Sequence, residues 1–219
     1  MEGMARIVVV DVATGAARTV TPPGVTAHDP LWSPSGRWIA FTEEADGISS
    51  LAVIQTDGSD KRTVSGDVVG VGGPDTWSPD GTWIYFGTSP GLRVYRANVD
   101  GGFAEPLTSP DLQAGAPASS PDGTNIVFIV HRSDQLGWDL YIALSDGAGA
   151  HRLLEHATHD GWSPDGRYVL AEWTPTNQPG GLAVVTPDGS EVRVVLPLGA
   201  DCQSGPRCTD GVGWGQPRP

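Results

Sequence analysis

One short segment has the residue pattern of a serine-hydrolase nucleophile. Residues 87–91 read Gly-Thr-Ser-Pro-Gly, and in a Gly-x-Ser-x-Gly motif the serine hydroxyl attacks an acyl carbon. That chemistry needs a strand before the serine, a helix after it and backbone N–H groups that stabilise the oxyanion. Here Ser89 is followed by proline, which has no N–H, and short β-type runs lie on both sides. We interpret the segment as a connection between two strands and predict no catalytic residue.

Three histidines and an aspartate form a second candidate cluster. His151, His156 and His159 lie close together in the sequence, and Asp160 follows the last of them. Imidazole and carboxylate groups are zinc ligands, but this spacing differs from the known zinc signatures. We interpret the three histidines as solvated residues that titrate near neutral pH, and we predict no cofactor from them.

Four aspartates recur at one place in the chain, each shortly before a tryptophan. They are Asp29, Asp75, Asp160 and Asp210. Carboxylates gathered in this way hold a cation such as Ca²⁺ or bind a basic segment of a partner. The alternative is that each aspartate caps a turn, which is the commonest use of this residue.

The candidate binding face includes aromatic and imidazole groups beside these carboxylates. Trp138 is included because it does not fit the repeat described below, which leaves its ring available for surface contacts, and Trp173 shares this property. The predicted face consists of His28, Asp29, Asp75, Trp138, His159 and Asp160.

These candidates lie on an internal repeat of about 43 residues, the length of one propeller blade. A Ser-Pro-Asp-Gly turn, with serine for aspartate in the first copy, occurs four times, and tryptophan precedes three of the four copies. Counted from the residue before this turn, the copies start at Trp32, Trp77, Ser119 and Trp162. A second marker, Asp-Gly, keeps the same spacing and follows an apolar run in each unit.

Both markers are turns, so each unit is predicted to contain four strands. Proline fixes φ, aspartate bonds to nearby backbone, and glycine takes the positive φ that closes the turn. Asp-Gly between apolar runs indicates a hairpin. Trp38, Trp83 and Tyr168 recur at one strand position and are predicted to pack within the blades. The fold class is therefore all-β, a β-propeller of four-stranded antiparallel blades at about residues 27–64, 72–108, 114–155 and 158–196.

The two chain ends are predicted to complete the ring. Residues 5–21 form two strands of a partial blade, and residues 210–215 form a closing strand. Together they would make a fifth, incomplete blade and cover exposed strand edges. Residues 1–219 would then be a single propeller domain. A fragment of a larger propeller is the competing interpretation.

The repeat resembles that of the TolB-type propellers, also known as WD40-like PD40 repeats. The resemblance is carried by Trp-Ser-Pro-Asp-Gly, the following Ile-x-Phe-like strand and the later Asp-Gly, and it extends over nearly the whole chain. It implies a propeller that usually has six blades and that binds proteins in envelope complexes. It also implies a periplasmic or extracellular location. Similar repeats form the substrate-gating propeller of prolyl-oligopeptidase-like peptidases.

Charge and composition exclude some classes of partner. The formal net charge is −13, which repels phosphate backbones and anionic membranes, so no nucleic acid is expected. No stretch approaches the roughly 18 apolar residues that span a bilayer, so no membrane insertion is expected. The first residues lead directly into an apolar run without a visible signal peptide, and a cytoplasmic location stays open. We expect a monomer.

The two cysteines bear on the same question of location. Cys202 and Cys208 lie in a loop that contains glycine and proline, and a disulfide between them would indicate an oxidising compartment. The alternative is a pair of free thiols.

Three hypotheses for function follow. The first is a non-catalytic propeller that acts as a protein- or peptide-binding scaffold. The second is the substrate-gating propeller of a prolyl-oligopeptidase-like peptidase, separated from its catalytic domain. The third is a glycan-active propeller enzyme, for which His159, Asp160, Asp29 and Asp75 are the residues to test.

Overall fold

The computed structural model describes residues 5–132, 137–176 and 179–197. These residues form eighteen β-strands and no α-helix. A two-stranded hairpin comes first, with β1 at Val8–Val10 and β2 at Ala17–Thr19. Four antiparallel sheets of four strands follow. No helix among the described residues is long and apolar enough to cross a membrane.

In each sheet the four strands lie in chain order. Blade 1 comprises β3 (Thr26–Trp32), β4 (Trp38–Ala45), β5 (Ile48–Gln55) and β6 (Arg62–Thr63). Blade 2 comprises β7 (Val71–Trp77), β8 (Trp83–Thr88), β9 (Val94–Asn98) and β10 (Ala104–Pro106). Blade 3 comprises β11 (Ala114–Ser119), β12 (Asn125–His131), β13 (Trp138–Leu144) and β14 (His151–Leu154). Blade 4 comprises β15 (Ala157–Trp162), β16 (Val169–Trp173), β17 (Gly181–Val185) and β18 (Val192–Pro197).

The chain divides into two compact units, which we describe separately. The first unit contains β1–β10, the second contains β12–β18, and the residues of β11 are divided between them. In the first unit, a core between blades 1 and 2 contains Leu51, Val53, Ile84 and Phe86. In the second unit, a core between blades 3 and 4 contains Val127, Leu140, Val169 and Val185, among others. The hairpin β1–β2 packs through Ile7 and Val20 on the other face of blade 1.

A buried serine hydroxyl organises the turn between the first and second strands of every blade. In blade 2, Ser78 is 5% exposed; its Oγ accepts the backbone N–H of Trp83 at 2.9 Å and donates to Asp80 Oδ1 at 2.5 Å. The Asp80 carboxylate also accepts the N–H of Thr82 at 2.9 Å, and these bonds hold the pKa of Asp80 below its ordinary value. Ser33, Ser120 and Ser163 accept the equivalent N–H in the other blades.

The tryptophan of the repeat joins adjacent blades within each unit. The indole Nε1 of Trp77 donates to the carbonyl oxygen of Leu31 in blade 1 at 3.2 Å. In the second unit, Trp162 Nε1 donates in the same way to the carbonyl of Ala118 at 3.0 Å. Each acceptor comes directly before the Trp or Ser that starts the preceding copy of the turn. The indole therefore fixes one first strand against the next.

We predict that the indole bond of Trp77 contributes measurably to stability. Trp77→Phe removes the donor, leaves the Leu31 carbonyl without this partner and trims a ring that is 6% exposed. We expect it to lower the free energy of unfolding by about 1–3 kcal/mol. The measurement is urea unfolding followed by far-UV circular dichroism.

Trp32→Phe is the matched control in the same unit. Trp32 is 50% exposed, and its indole donates no hydrogen bond among the described residues. We expect this change to cost less than about 0.5 kcal/mol. Equal losses in the two variants would show that the indole bond adds nothing.

Candidate functional site

In the first unit, His28 lies between two carboxylates. Its Nδ1 is 2.7 Å from Asp29 Oδ2, and its Nε2 is 3.3 Å from Glu44 Oε1. His28 is on β3 opposite Thr42 of β4, and the pairing of these strands shifts after His28. Asp29 follows at φ +51°, a conformation that is uncommon for a residue other than glycine. The irregular backbone thus turns the Asp29 carboxylate back onto the ring of its neighbour.

The two carboxylates raise the pKa of His28. The hydrogen bond that His28 donates to Asp29 has the largest effect, and partial burial opposes it to a smaller extent. Protonation allows both ring nitrogens to donate, so the imidazolium is the form that satisfies Asp29 and Glu44 together. Both ring nitrogens then donate to protein carboxylates. A metal-binding histidine instead directs one unprotonated nitrogen at the metal.

Asp75 lies on β7, the strand next to β3 in the same unit. Its Oδ2 accepts the backbone N–H of Gly87 at 2.9 Å. Solvent reaches the side chain, yet the surrounding protein desolvates the carboxylate and raises its pKa to about 6. The single hydrogen bond acts in the opposite direction and is outweighed. Asp75 therefore changes charge near neutral pH, which was not anticipated from the sequence.

The strand that carries Asp75 also approaches Asp29. A methyl group added to Gly73 would lie 3.4 Å from Asp29 Oδ2, so β3 and β7 pack closely at this point. Gly73 has φ +126°, and the register of β7 shifts on both sides of Pro74. Two of the predicted acidic residues thus lie on neighbouring first strands of the first unit.

The other predicted residues lie in the second unit or outside the described residues. His159 and Asp160 are on β15, where the register also shifts, and desolvation raises the pKa of Asp160. His151 is the first residue of β14 in blade 3, and its Nδ1 bonds to the Gly149 carbonyl. No three His, Cys, Asp or Glu side chains in the described part of the chain form a metal-binding group. Asp210, Cys202 and Cys208 lie outside the described residues, and a Ca²⁺ site stays a prediction.

The serine-hydrolase pattern falls on a strand connection. Gly87 and Thr88 end β8, and residues 89–93 lead to β9. The backbone N–H of Ser89 donates to the Gly70 carbonyl at 2.7 Å. The segment therefore connects the second and third strands of blade 2, as predicted.

A second site in the second unit is built around a buried carboxylate. Asp139, 6% exposed, follows Trp138 at the start of β13. Its Oδ1 is 3.2 Å from Arg132 Nη1, and its Oδ2 is 3.5 Å from Arg152 Nη1. Arg152 also forms an ion pair with Glu155. Two arginines thus compensate the buried charge. A carboxylate with so little contact to solvent needs charged partners, because an unpaired buried charge is strongly destabilising.

The same carboxylate fixes the backbone of His156. Asp139 Oδ1 accepts the His156 N–H at 2.9 Å, and Thr174 N–H donates to the His156 carbonyl, also at 2.9 Å. The Trp173 indole donates to the carbonyl of Glu155 at 3.1 Å. These bonds from two blades hold His156 at φ +52°. Such a conformation costs free energy and persists only where its surroundings enforce it.

Cavities open on both sides of His156. One, of about 190 Å³, is lined by Trp138, Thr158 and Glu172 among others, and the second, of about 380 Å³, is lined by Trp173, Arg152 and Pro175 among others. The two off-register tryptophans of the sequence thus each line a cavity that His156 also lines. We call this surface the His156 groove; its principal residues are Trp138, Arg152, Glu155, His156, Glu172 and Trp173.

The residues of the predicted binding face lie in both units, and a common face stays a prediction. Trp138 lies in the His156 groove, while His28, Asp29 and Asp75 lie in the first unit. Sequence reasoning missed Glu44 and Asp139 because neither stands in a motif. A period-2 strand pattern places Glu44 two residues beyond Thr42, on the same side as His28, and that signal was available.

We predict that Asp29 sets the titration of His28. Asp29→Asn removes the largest cause of the raised pKa, so the midpoint of His28 should fall toward its ordinary value of 6.5. The measurement is an NMR titration of the imidazole resonances between pH 5 and 9. Asp60→Asn is the control, since Asp60 has a similar φ of +51° and lies at the opposite end of blade 1. A His28 midpoint that is unchanged in Asp29→Asn would contradict the assignment.

We also predict an unusual pH dependence from Asp75. Its folded-state pKa of about 6 exceeds the ordinary 3.8, so the folded chain binds the proton more tightly than the unfolded chain. The contribution of Asp75 to the free energy of unfolding should therefore fall as pH rises from about 4 through 6. Asp75→Asn should remove this fall in urea unfolding measured across that range.

Asp80→Asn provides the comparison within blade 2. The pKa of Asp80 lies below 3.8, so this carboxylate adds almost no slope between pH 5 and 6, the upper part of the range in which Asp75 acts. An Asp75→Asn profile that parallels the unsubstituted chain over that interval would show that Asp75 titrates normally.

Comparison with known proteins agrees with the repeat and the sheets. A family profile described as the TolB β-propeller domain matches residues 1–204. The uncharacterized protein Atu1656 of Agrobacterium fabrum is 30% identical over 169 residues, which cover 70% of this chain and 57% of that protein. The uncharacterized peptidase YuxL of Bacillus subtilis is 27% identical over 157 residues, which cover 54% of this chain and 24% of YuxL. The chain thus spans less than two thirds of either relative.

A solved structure described as a putative TolB from Agrobacterium tumefaciens has the same fold. It matches with a TM-score of 0.67 and 19% identity, covering 90% of this chain and 76% of the other. The predicted all-β propeller fold with four complete four-stranded blades is confirmed, together with a two-stranded hairpin at the position of the partial blade. The chain belongs to the TolB β-propeller family.

Proposed function

We propose that this chain is a non-catalytic scaffold that binds a protein or peptide partner, and that the His156 groove is its contact surface. The observation that carries the proposal is the fixed, strained backbone of His156 between two cavities that tryptophans line. Tryptophan and arginine dominate the binding energy of protein interfaces. A rigid backbone also limits the conformational entropy lost on binding.

The charged groups of the groove support binding more than catalysis. Asp139 is compensated by Arg132 and Arg152, and its Oδ1 also holds the His156 N–H. A general base needs a carboxylate or imidazole that takes up a proton from substrate. Asp139 instead acts as an anchor for the backbone. The acidic residues Asp29 and Asp75 in the first unit add a surface that favours a basic partner segment.

A second candidate function rests on the likeness to YuxL, which is named as a peptidase. Because the chain covers 24% of YuxL, it would correspond to an accessory part of such an enzyme. The propeller would then bind or admit a peptide substrate, and the same groove would serve that role. An exported location, which the family resemblance implies, belongs to the proposal as well.

Site-specific photo-crosslinking tests the proposed surface. We place benzoylphenylalanine at Thr176, an exposed residue that lines the larger cavity, and expose the chain to an extract of the source organism. We expect one dominant covalent adduct. Benzoylphenylalanine at Thr124, exposed at the opposite end of blade 3, is the positional control and should give none.

His156→Gly gives a variant control that keeps the backbone. Glycine tolerates φ +52° without strain, so the fold should persist while the imidazole is lost. We expect the Thr176 adduct to fall several-fold in this variant. Equal adducts from Thr176 and Thr124, or none from either, would argue against the groove as a partner surface.

A further inference from the structure

The hairpin β1–β2 has the hydrogen bonds of the third and fourth strands of a blade. In blades 1 and 2, the N–H of a third-strand residue donates to a hydroxyl 14 positions later, and the hairpin repeats this bond. The donor and acceptor residues, at 3.1–3.2 Å, are Leu51 and Ser65 in blade 1, Val94 and Thr108 in blade 2, and Ile7 and Thr21 in the hairpin. The carbonyl of each donor residue accepts the N–H of the residue before that hydroxyl. The strands β1 and β2 therefore correspond to the third and fourth strands of a blade.

The outer edge of β1 is unpaired among the described residues. In blades 1 and 2 the third strand pairs with the fourth strand on one side and with the second strand on the other, whereas β1 pairs with β2 alone. The carbonyl of Ile7 and the N–H of Asp11 bond to residues that flank β2. Because these groups alternate in direction along a strand, the N–H and carbonyl groups of Val8 and Val10 point away from β2.

This edge of β1 also exposes apolar side chains. Val8 is 49% exposed and Val10 is 55% exposed, whereas Ala52 and Ile54, at the equivalent positions of blade 1, are completely buried. A strand edge with free backbone groups and exposed apolar side chains is a template for the addition of another strand. The matching arrangement of N–H and carbonyl groups is provided by an extended segment, which is therefore the form of ligand that this edge selects.

The equivalent position in blade 1 shows which side chains fit beside such an edge. There β4 is the second strand, and its residues 39–43 read Ile-Ala-Phe-Thr-Glu. The register of β4 with β5 places the isoleucine, phenylalanine and glutamate opposite the positions that correspond to Val10, Val8 and Arg6. Blade 2 has isoleucine and phenylalanine at the first two of these positions, at Ile84 and Phe86. An Ile-x-Phe pattern followed by an acidic residue therefore suits the edge of β1.

Arg6 supplies charge complementarity to this pattern. Its side chain is exposed and forms no ion pair among the described residues. Side chains alternate along an extended chain, so Arg6 continues the row of Val8 and Val10. Opposite charges that face each other on neighbouring strands attract, so a carboxylate on the added strand is favoured at this place. A second copy of the chain is disfavoured as the occupant, because each copy has a net charge of −13.

We infer that the outer edge of β1 binds an extended segment of a partner protein, which adds to the hairpin as an antiparallel strand. The segment has apolar side chains opposite Val8 and Val10 and a carboxylate opposite Arg6. Hydrogen bonds to the backbone of the two valines provide affinity, and the facing side chains provide specificity. The inference goes beyond the proposed function, because this edge is a second contact surface that does not depend on the His156 groove.

The test uses a heptapeptide with the sequence of residues 38–44, acetyl-Trp-Ile-Ala-Phe-Thr-Glu-Glu-amide. One modified peptide carries N-methyl groups on isoleucine and phenylalanine, whose N–H groups would face β1. A matched control peptide carries them on alanine and threonine, whose N–H groups would face away. Binding to the full chain is followed through the amide resonances of Val8 and Val10 in ¹H–¹⁵N spectra. We expect the unmodified and control peptides to shift these resonances and the first modified peptide to bind about tenfold more weakly.

Two variants of the chain assign the binding to this edge. Val8→Pro removes one N–H from the edge and should weaken binding of the unmodified peptide about fivefold or more. Thr19→Pro is the matched control, because Thr19 lies opposite Val8 and directs its N–H to the other edge of the hairpin, so binding should be unchanged. The N-methylated peptides leave the chain unaltered, so they decide the question if Val8→Pro fails to fold.

A charge exchange tests the contribution of Arg6. Arg6→Glu should weaken binding of the unmodified peptide and strengthen binding of a peptide that has lysine in place of both glutamates. Equal effects of this variant on the two peptides would overturn the assignment of a carboxylate to the partner.

Hydrogen exchange of the chain without peptide distinguishes the other occupants. We expect the N–H groups of Val8 and Val10 to exchange faster than that of Val9, which faces β2, and to become protected when the peptide is added. Protection without peptide in a monomer would show that another part of the same chain covers the edge. Protection that rises with chain concentration would show that a second copy covers it. Either result would overturn the inference.

The peptide results also separate this inference from the proposed function. No binding of any peptide, or equal binding of all three, would overturn strand addition at β1. The Thr176 adduct of the crosslinking experiment reports on the His156 groove in the second unit, so its presence or absence tests the proposed function alone.

Discussion

A buried serine hydroxyl in the first turn of each blade is the interaction on which the remaining structure depends. Its oxygen accepts the backbone N–H of the residue that opens the second strand, at 2.9–3.0 Å in all four blades. A backbone N–H left unpaired in this buried position would cost about 1–3 kcal/mol. The bond fixes where the first hairpin closes and thereby the register of the first two strands, because a slip of one residue would turn apolar side chains out of the core.

Once the turn is fixed, the tryptophan before it has a defined direction. Trp77 and Trp162 each donate an indole hydrogen bond to the preceding blade in their own unit. The apolar faces of the second and third strands then pack across the same interface, as the cores around Ile84 and Leu140 show. A small set of hydrogen bonds thus specifies how blades pack, while apolar burial supplies most of the stabilising free energy.

This regular framework makes its irregular positions informative. Asp29 and His156 both adopt a positive φ beside the first strand of a blade, and neighbouring side chains hold each one. In the first unit the result is an imidazole between carboxylates, and in the second it is a groove between two tryptophans. The strain at each position is sustained by the rigid blades around it.

The sequence by itself determined the repeat, the four strands of each blade and the family, because turn chemistry is local. Proline, aspartate and glycine impose their dihedral preferences wherever they stand, so Ser78-Pro79-Asp80-Gly81 indicates its turn without tertiary information. The off-register positions of Trp138 and Trp173 were also visible, but not that both lie beside His156. The strand pattern placed Glu44 on the side of His28, but only the tertiary structure decided that its carboxylate reaches the imidazole, that Asp139 holds His156 and that Asp75 is desolvated. Each of these depends on which atoms from other strands or blades surround a side chain. The spacing of residues along the sequence does not encode how close those atoms come.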